Sequence, residues 1–184
     1  MLDDALYARI GNYCRFKLDS LFDPGLMFTE DTQFETDCQY DHKGLYVGVV
    51  DSSGNSILRE GFLQDSQFNI KNSLDIIIKN LFNSAKQNNI SREKLQTSTF
   101  HYSIINDCIY KADPLNWDEN SDGVYFMWGQ RFRAMYLPYE IKKLGLSKVD
   151  VLDRLCSFEA KVPSSLWRSP EGLIYQIKCV SFSV

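Results

Sequence analysis

The 184-residue chain is 44% hydrophobic, enough to bury roughly two-thirds of the surface its unfolded form would expose, which suits one domain or two small lobes sharing a core. With 20 Lys and Arg against 24 Asp and Glu, the net charge is −4, and no block of like charge stands out. This argues against a nucleic-acid groove or a basic membrane-binding surface, and no stretch approaches the roughly 20 apolar residues of a membrane span.

Leu6, Ile10, Tyr13, Lys17 and Leu21 form a loose helical face that Asp23-Pro24-Gly25 ends, so the first helix is expected over about residues 2 to 21. The N-terminus lacks the basic start and apolar run of a signal peptide. Residues 23 to 44 are acidic without periodicity and read as a surface loop or flap. "GLYVGVV", the turn "DSSGNS" and "ILREGFLQ" then predict a β-hairpin. In "NSLDIIIKNLFNSAKQNN", Leu74, Ile77, Ile78, Leu81, Phe82 and Ala85 recur at helical spacing, the stripe of a helix packed on a core.

A β-branched and aromatic strand is expected over 97 to 105. "GVYFMW", "GQ" and "RFRAMYL" read as a second hairpin, with Gly129 opening a type II′ turn. Pro138 begins a short helix that Gly145 ends. Ser147 with Asp150 resembles a capping box opening a helix through about Phe158, expected to bury Val149, Leu152 and Leu155. "PSSLW" is a turn, and "GLIYQIKCVSF" is a last strand with Leu173, Tyr175, Ile177 and Cys179 on one face. These elements predict an α+β protein with a mainly antiparallel sheet and flanking helices.

The five cysteines are odd in number and contain no C-x-x-C pair, so neither zinc nor a disulfide framework is indicated, and reduced thiols in a cytosolic protein are expected. No Ser/His/Asp order, P-loop or G-x-G-x-x-G appears, and no cofactor is expected. The D-x-x-x-D-H grouping of Asp37, Asp41 and His42 matches no metal cage of regular spacing.

The second half, "DGVYFMWGQRFRAMYLPYEIKKLG", "VLDRLC" and "VPSSLWRSPEGLIYQIKCVSF", with Leu115 and Trp117 before it, resembles the AMMECR family, called AmmeMemoRadiSam system protein A in prokaryotes. In that family a "DG" hairpin leads to an aromatic-Leu-Pro segment, a helix, a Trp and a terminal strand. The resemblance covers residues 115 to 182. It implies an AMMECR-like fold for the whole chain and company with a Memo-like protein and a radical SAM protein. The first half follows the family in element order alone. Where relatives carry Leu-Arg-Gly-Cys-(Ile/Val)-Gly, this chain has "LREGFL": Leu58 and Arg59 stay, Glu60 and Gly61 fall where the Gly and Cys stand, and no nucleophile carries over. A one-residue slip would exchange Glu60 and Gly61 against the family cysteine. The Asp-(Pro/Ser)-Arg-Phe-Pro-Pro motif after the long helix is replaced by "KQNNISRE".

The candidate site residues follow. Arg59 is either an anion clamp or a surface arginine paired with Glu60. Glu60 is the candidate acid or base in place of the thiol, and a carboxylate beside an arginine is better suited as a base. Arg131 and Arg133, alternating on one strand beside Tyr136, form either a site for a carboxylate or phosphate or a solvated strand face. His101 is either a hydrogen-bonded strand residue or part of the same site. Two functions are open: binding or transforming a small anionic metabolite together with a radical SAM or Memo-like partner, or a non-catalytic scaffold that has lost the reactive motif.

Overall fold

A computed structural model describes residues 4–26 and 42–184, with the backbone alone for residues 64–68. The expected acidic flap falls largely outside the described residues. The element order is α1 (Asp4–Phe22), β1 (His42–Val50), β2 (Ser56–Phe68), α2 (Ile70–Gln87), α3 (Arg92–Gln96), β3 (Thr99–Lys111), β4 (Gly123–Trp128), β5 (Phe132–Tyr136), α4 (Pro138–Leu144), α5 (Lys148–Arg154) and β6 (Gly172–Ser183). The fold is α+β, with a six-stranded, mainly antiparallel sheet in the order β2-β1-β3-β6-β4-β5. No helix among the described residues is long and apolar enough to cross a membrane. The chain divides into two compact units, residues 1–104 with 181–184 and residues 105–180.

In the first unit, α1 and α2 pack on one side of the sheet. The α2 stripe is as the sequence predicts: Leu74, Ile77, Ile78, Leu81 and Ala85 are fully buried, each large side chain contributing about 1.5–3 kcal/mol. The Asn69 side chain caps this helix by accepting from the Lys71 N–H at 2.8 Å. On α1 the buried face is Ile10, Tyr13, Cys14 and Leu18. Lys17, expected on that face, sends its ammonium to Asp75 on α2 at 2.5 Å and to the Tyr13 hydroxyl at 2.8 Å. The strand side of the core is Leu45, Val47, Val49, Leu58, Phe100, Tyr102 and Ile104. Helix α3 is unexpected; Ser91, whose Oγ accepts from the Lys94 N–H at 3.3 Å, is the cap that starts it.

In the second unit, Val124, Phe126, Ala134, Tyr136 and Ile174 face a core built with Trp117, Ile141 and the α5 helix. Pro138 occupies the first turn of α4, and the Glu140 carboxylate accepts from the Leu137 N–H at 2.7 Å. Gly145 ends that helix at φ 60°, a conformation that favours glycine. Ser147 caps α5, whose buried residues are Val151 and Leu152, followed by Leu155 and Cys156. Val149, expected inside, is at the exposed edge of this stripe. Past Arg154 the helix widens into a π turn over Leu155–Glu159, with the Ala160 N–H donating to the Leu155 carbonyl at 3.0 Å.

Cys14 and Cys156 are fully buried, and burial pushes each thiol up to about 11. Both are therefore expected to resist iodoacetamide at pH 8 in the native protein and to react once it is unfolded, as peptide mass spectrometry would show.

Candidate functional site

Strand alternation separates Arg59 from Glu60. Pairing of β1 with β2 sets Glu60 opposite Val47 and Leu58 opposite Val49, so Glu60 points to the helix side, where its carboxylate accepts from the Ser84 hydroxyl of α2 at 2.5 Å. Arg59, opposite Gly48, points to the other side of the sheet with Tyr46, its guanidinium carbon 5.3 Å from the Tyr46 ring centroid. The two residues expected to work as a pair thus lie on opposite faces. Gly61 shares the Arg59 face, and a Cβ there would come within 2.4 Å of the Tyr46 ring. The space a thiol would need at that position is filled by Tyr46. His101, between buried Phe100 and Tyr102, also points away from the helix side and is half-buried.

Arg131 and Arg133 do not alternate on one strand. Trp128 pairs with Phe132, so the turn has three residues, Gly129 (φ 58°), Gln130 and Arg131, where a two-residue turn was expected. Arg131 is an exposed turn residue. Arg133, opposite Met127, is exposed on the side away from the core, near enough to Tyr125 to act on its phenol. Tyr136 pairs with Val124 on the core side, so it and Arg133 face opposite ways. Positions an odd number apart on one strand point to opposite faces, and the offset of three from Arg133 to Tyr136 therefore keeps the two out of a joint site.

Tyr136 has other charged neighbours, which the sequence reading missed. Its hydroxyl donates to Glu159 Oε1 at 3.3 Å and lies within the electrostatic reach of Arg154. Burial, reinforced by the Glu159 carboxylate and opposed by Arg154, pushes the phenol up to about 12, so it stays neutral and joins the two charges. Arg154 is half-buried and stacks on the 56%-exposed Phe158, its guanidinium carbon 4.4 Å from the ring centroid. Its Nε is shielded from water without an acceptor, and among the described residues no carboxylate lies within ion-pair distance of it. In an α-helix, residue i+5 would stand about 140° around the axis from Arg154. The π turn, bonding i to i+5, swings Glu159 back toward the side of Arg154 and Phe158. The signal in the sequence was "RLCSFE", with Arg and Phe four apart; the π turn that adds the Glu has no pattern of its own.

Among the described residues no group of three or more His, Cys, Asp or Glu could hold a metal. Asp37 and Asp41 lie outside the described residues, and His42 Nε2 is 3.0 Å from Ser73 Oγ. In the first unit, a cavity of about 120 Å³ is lined by Arg15, Asp19, Gln96 and apolar neighbours, small beside the roughly 300 Å³ of ordinary ligand pockets. Arg15 there is spent on the Ser98 and Val184 carbonyls at 2.8 and 2.7 Å.

No protein-family model matches the chain, and no curated protein matches it. Among solved structures, the crystal structure of an uncharacterized protein from Pyrococcus horikoshii is similar, with a TM-score of 0.81 and 14% identity over 99% of this chain and 93% of that one. At that identity the likeness shows the fold alone.

Proposed function

We propose that the chain is an AMMECR-like cytosolic protein that binds a small carboxylate- or phosphate-bearing metabolite without transforming it, in company with a radical SAM or Memo-like partner. The observation that carries the reading is the half-buried Arg154, lacking a counter-ion beside the neutral Tyr136 hydroxyl. The shielded Nε is out of a ligand's reach, but an anion meeting the rest of this half-buried guanidinium would form charge-assisted hydrogen bonds, about twice as strong as neutral ones. Loss of catalysis is supported by Tyr46 standing over Gly61 and by Glu60 facing Ser84. The partner rests on the family resemblance.

The test is thermal shift with acetate and with inorganic phosphate on the wild type, Arg154→Met and Arg59→Ala. An anion at a hundred times its dissociation constant is expected to stabilise the wild type and Arg59→Ala by about 2.7 kcal/mol and to leave Arg154→Met unmoved. A shift that survives in Arg154→Met and vanishes in Arg59→Ala would return the site to the strand motif and overturn the proposal.

A further inference from the structure

The same cluster also carries a negative charge. An anion bridging Arg154 and the Tyr136 hydroxyl would lie close to Glu159, whose oxygen is 3.3 Å from that hydroxyl. A cation alone at Glu159 would meet the guanidinium. Both charges act on the one Tyr136 hydroxyl, and they form no ion pair with each other. A ligand that satisfies both must bring a negative and a positive group at a comparably short separation. An α-amino acid does so, with one carbon between carboxylate and ammonium. The exposed Phe158 ring, braced on one side by Arg154, adds an apolar surface for a side chain.

Resting on the reading of Arg154 as an anion site, we infer that the Tyr136–Arg154–Glu159 cluster binds a free α-amino acid with an apolar side chain. Arg154 takes its carboxylate, Glu159 its ammonium and Phe158 its side chain. Tyr136, neutral at physiological pH, positions both charges and undergoes no change.

Calorimetric titration of the full chain with L-leucine, glycine, acetate and methylammonium tests this. Leucine is expected to bind at least ten times more tightly than acetate or methylammonium, and more tightly than glycine. Arg154→Met, which keeps the stem against Phe158, is expected to weaken leucine at least tenfold. Glu159→Gln, at an exposed position where folding is not at stake, is expected to abolish the preference for leucine over acetate. If acetate binds the wild type as well as leucine and Arg154→Met removes both, the amino-acid assignment fails while the anion site stands. If neither acetate nor leucine binds, or Arg154→Met leaves leucine binding intact in a variant whose near-ultraviolet circular dichroism is native, both fail.

Discussion

Replacing Asp122 with alanine is expected to lower the stability of the protein by about 3 kcal/mol, measured as a fall in the urea midpoint at neutral pH. Its side chain is 1% exposed and gathers four donors: the Lys178 ammonium at 2.6 Å, the Asp118 N–H at 2.7 Å, the Gln176 side-chain amide and, more loosely, the Ser121 hydroxyl at 3.4 Å. Truncation strands the buried Gln176 amide, worth about 1–3 kcal/mol when left unanswered inside the protein, and leaves the N–H of the exposed Asp118 to water. It also frees the loop before β4 from β6. Lys178, with its side chain 47% exposed, is rehydrated at little cost. Burial by itself would raise the Asp122 carboxyl, but the bonds from Lys178, Asp118 and Gln176 hold it below its ordinary value of 3.8. A carboxyl whose pKa is lower folded than unfolded stabilises fully above the unfolded value, and that contribution is lost as the pH falls from there through the folded value. The difference in stability between wild type and Asp122→Ala should therefore be constant near neutrality and shrink below about pH 4. A difference that held constant down to pH 2 would show that the carboxylate form is not what anchors the loop.

Trp167→Ala is expected to cost about 3–5 kcal/mol, the range for emptying a buried aromatic site. The ring is 5% exposed within the second core. Its Nε1 donates to Asp153 Oδ1 at 2.6 Å, and the Arg168 guanidinium lies 4.0 Å from its ring centroid while bonding the same Asp153 oxygen at 2.8 Å. Trp167→Phe keeps most of the apolar volume and removes the N–H, so a loss nearer 1–2 kcal/mol is expected. Equal losses for the two variants would mean that the Asp153 bond, and not packing, holds the segment after the π turn. Asp153 is partly exposed, so such a result would be hard to reconcile with the small worth of solvated polar pairs.

Both residues were visible in the sequence of the second half, Asp122 in its "DG" and Trp167 in "PSSLW". What was visible was their spacing, and not what they hold. The α2 stripe, the ends of α4 at Pro138 and Gly145 and the cap at Ser147 were likewise legible, because each depends on residues within one or two turns of helix. The candidate site was legible at Tyr136 and nowhere else in the cluster. Arg131 left its expected strand because the turn took three residues instead of two, a choice made by cross-strand pairing of Trp128 with Phe132.

The sequence by itself determined the main elements in their order, α3 and the π turn apart, and the α+β class, since hydrophobic period, turn residues and caps act locally. That no cysteine stands in "LREGFL" could also be read directly. Only the tertiary structure decided which residues share a face. It placed Arg59 against Tyr46 and Glu60 against Ser84, and it joined Tyr136 to Arg154 and Glu159. Such pairings depend on strand register and on one widened helical turn, where a shift of a single residue redirects a side chain, and no local pattern in the sequence records that shift.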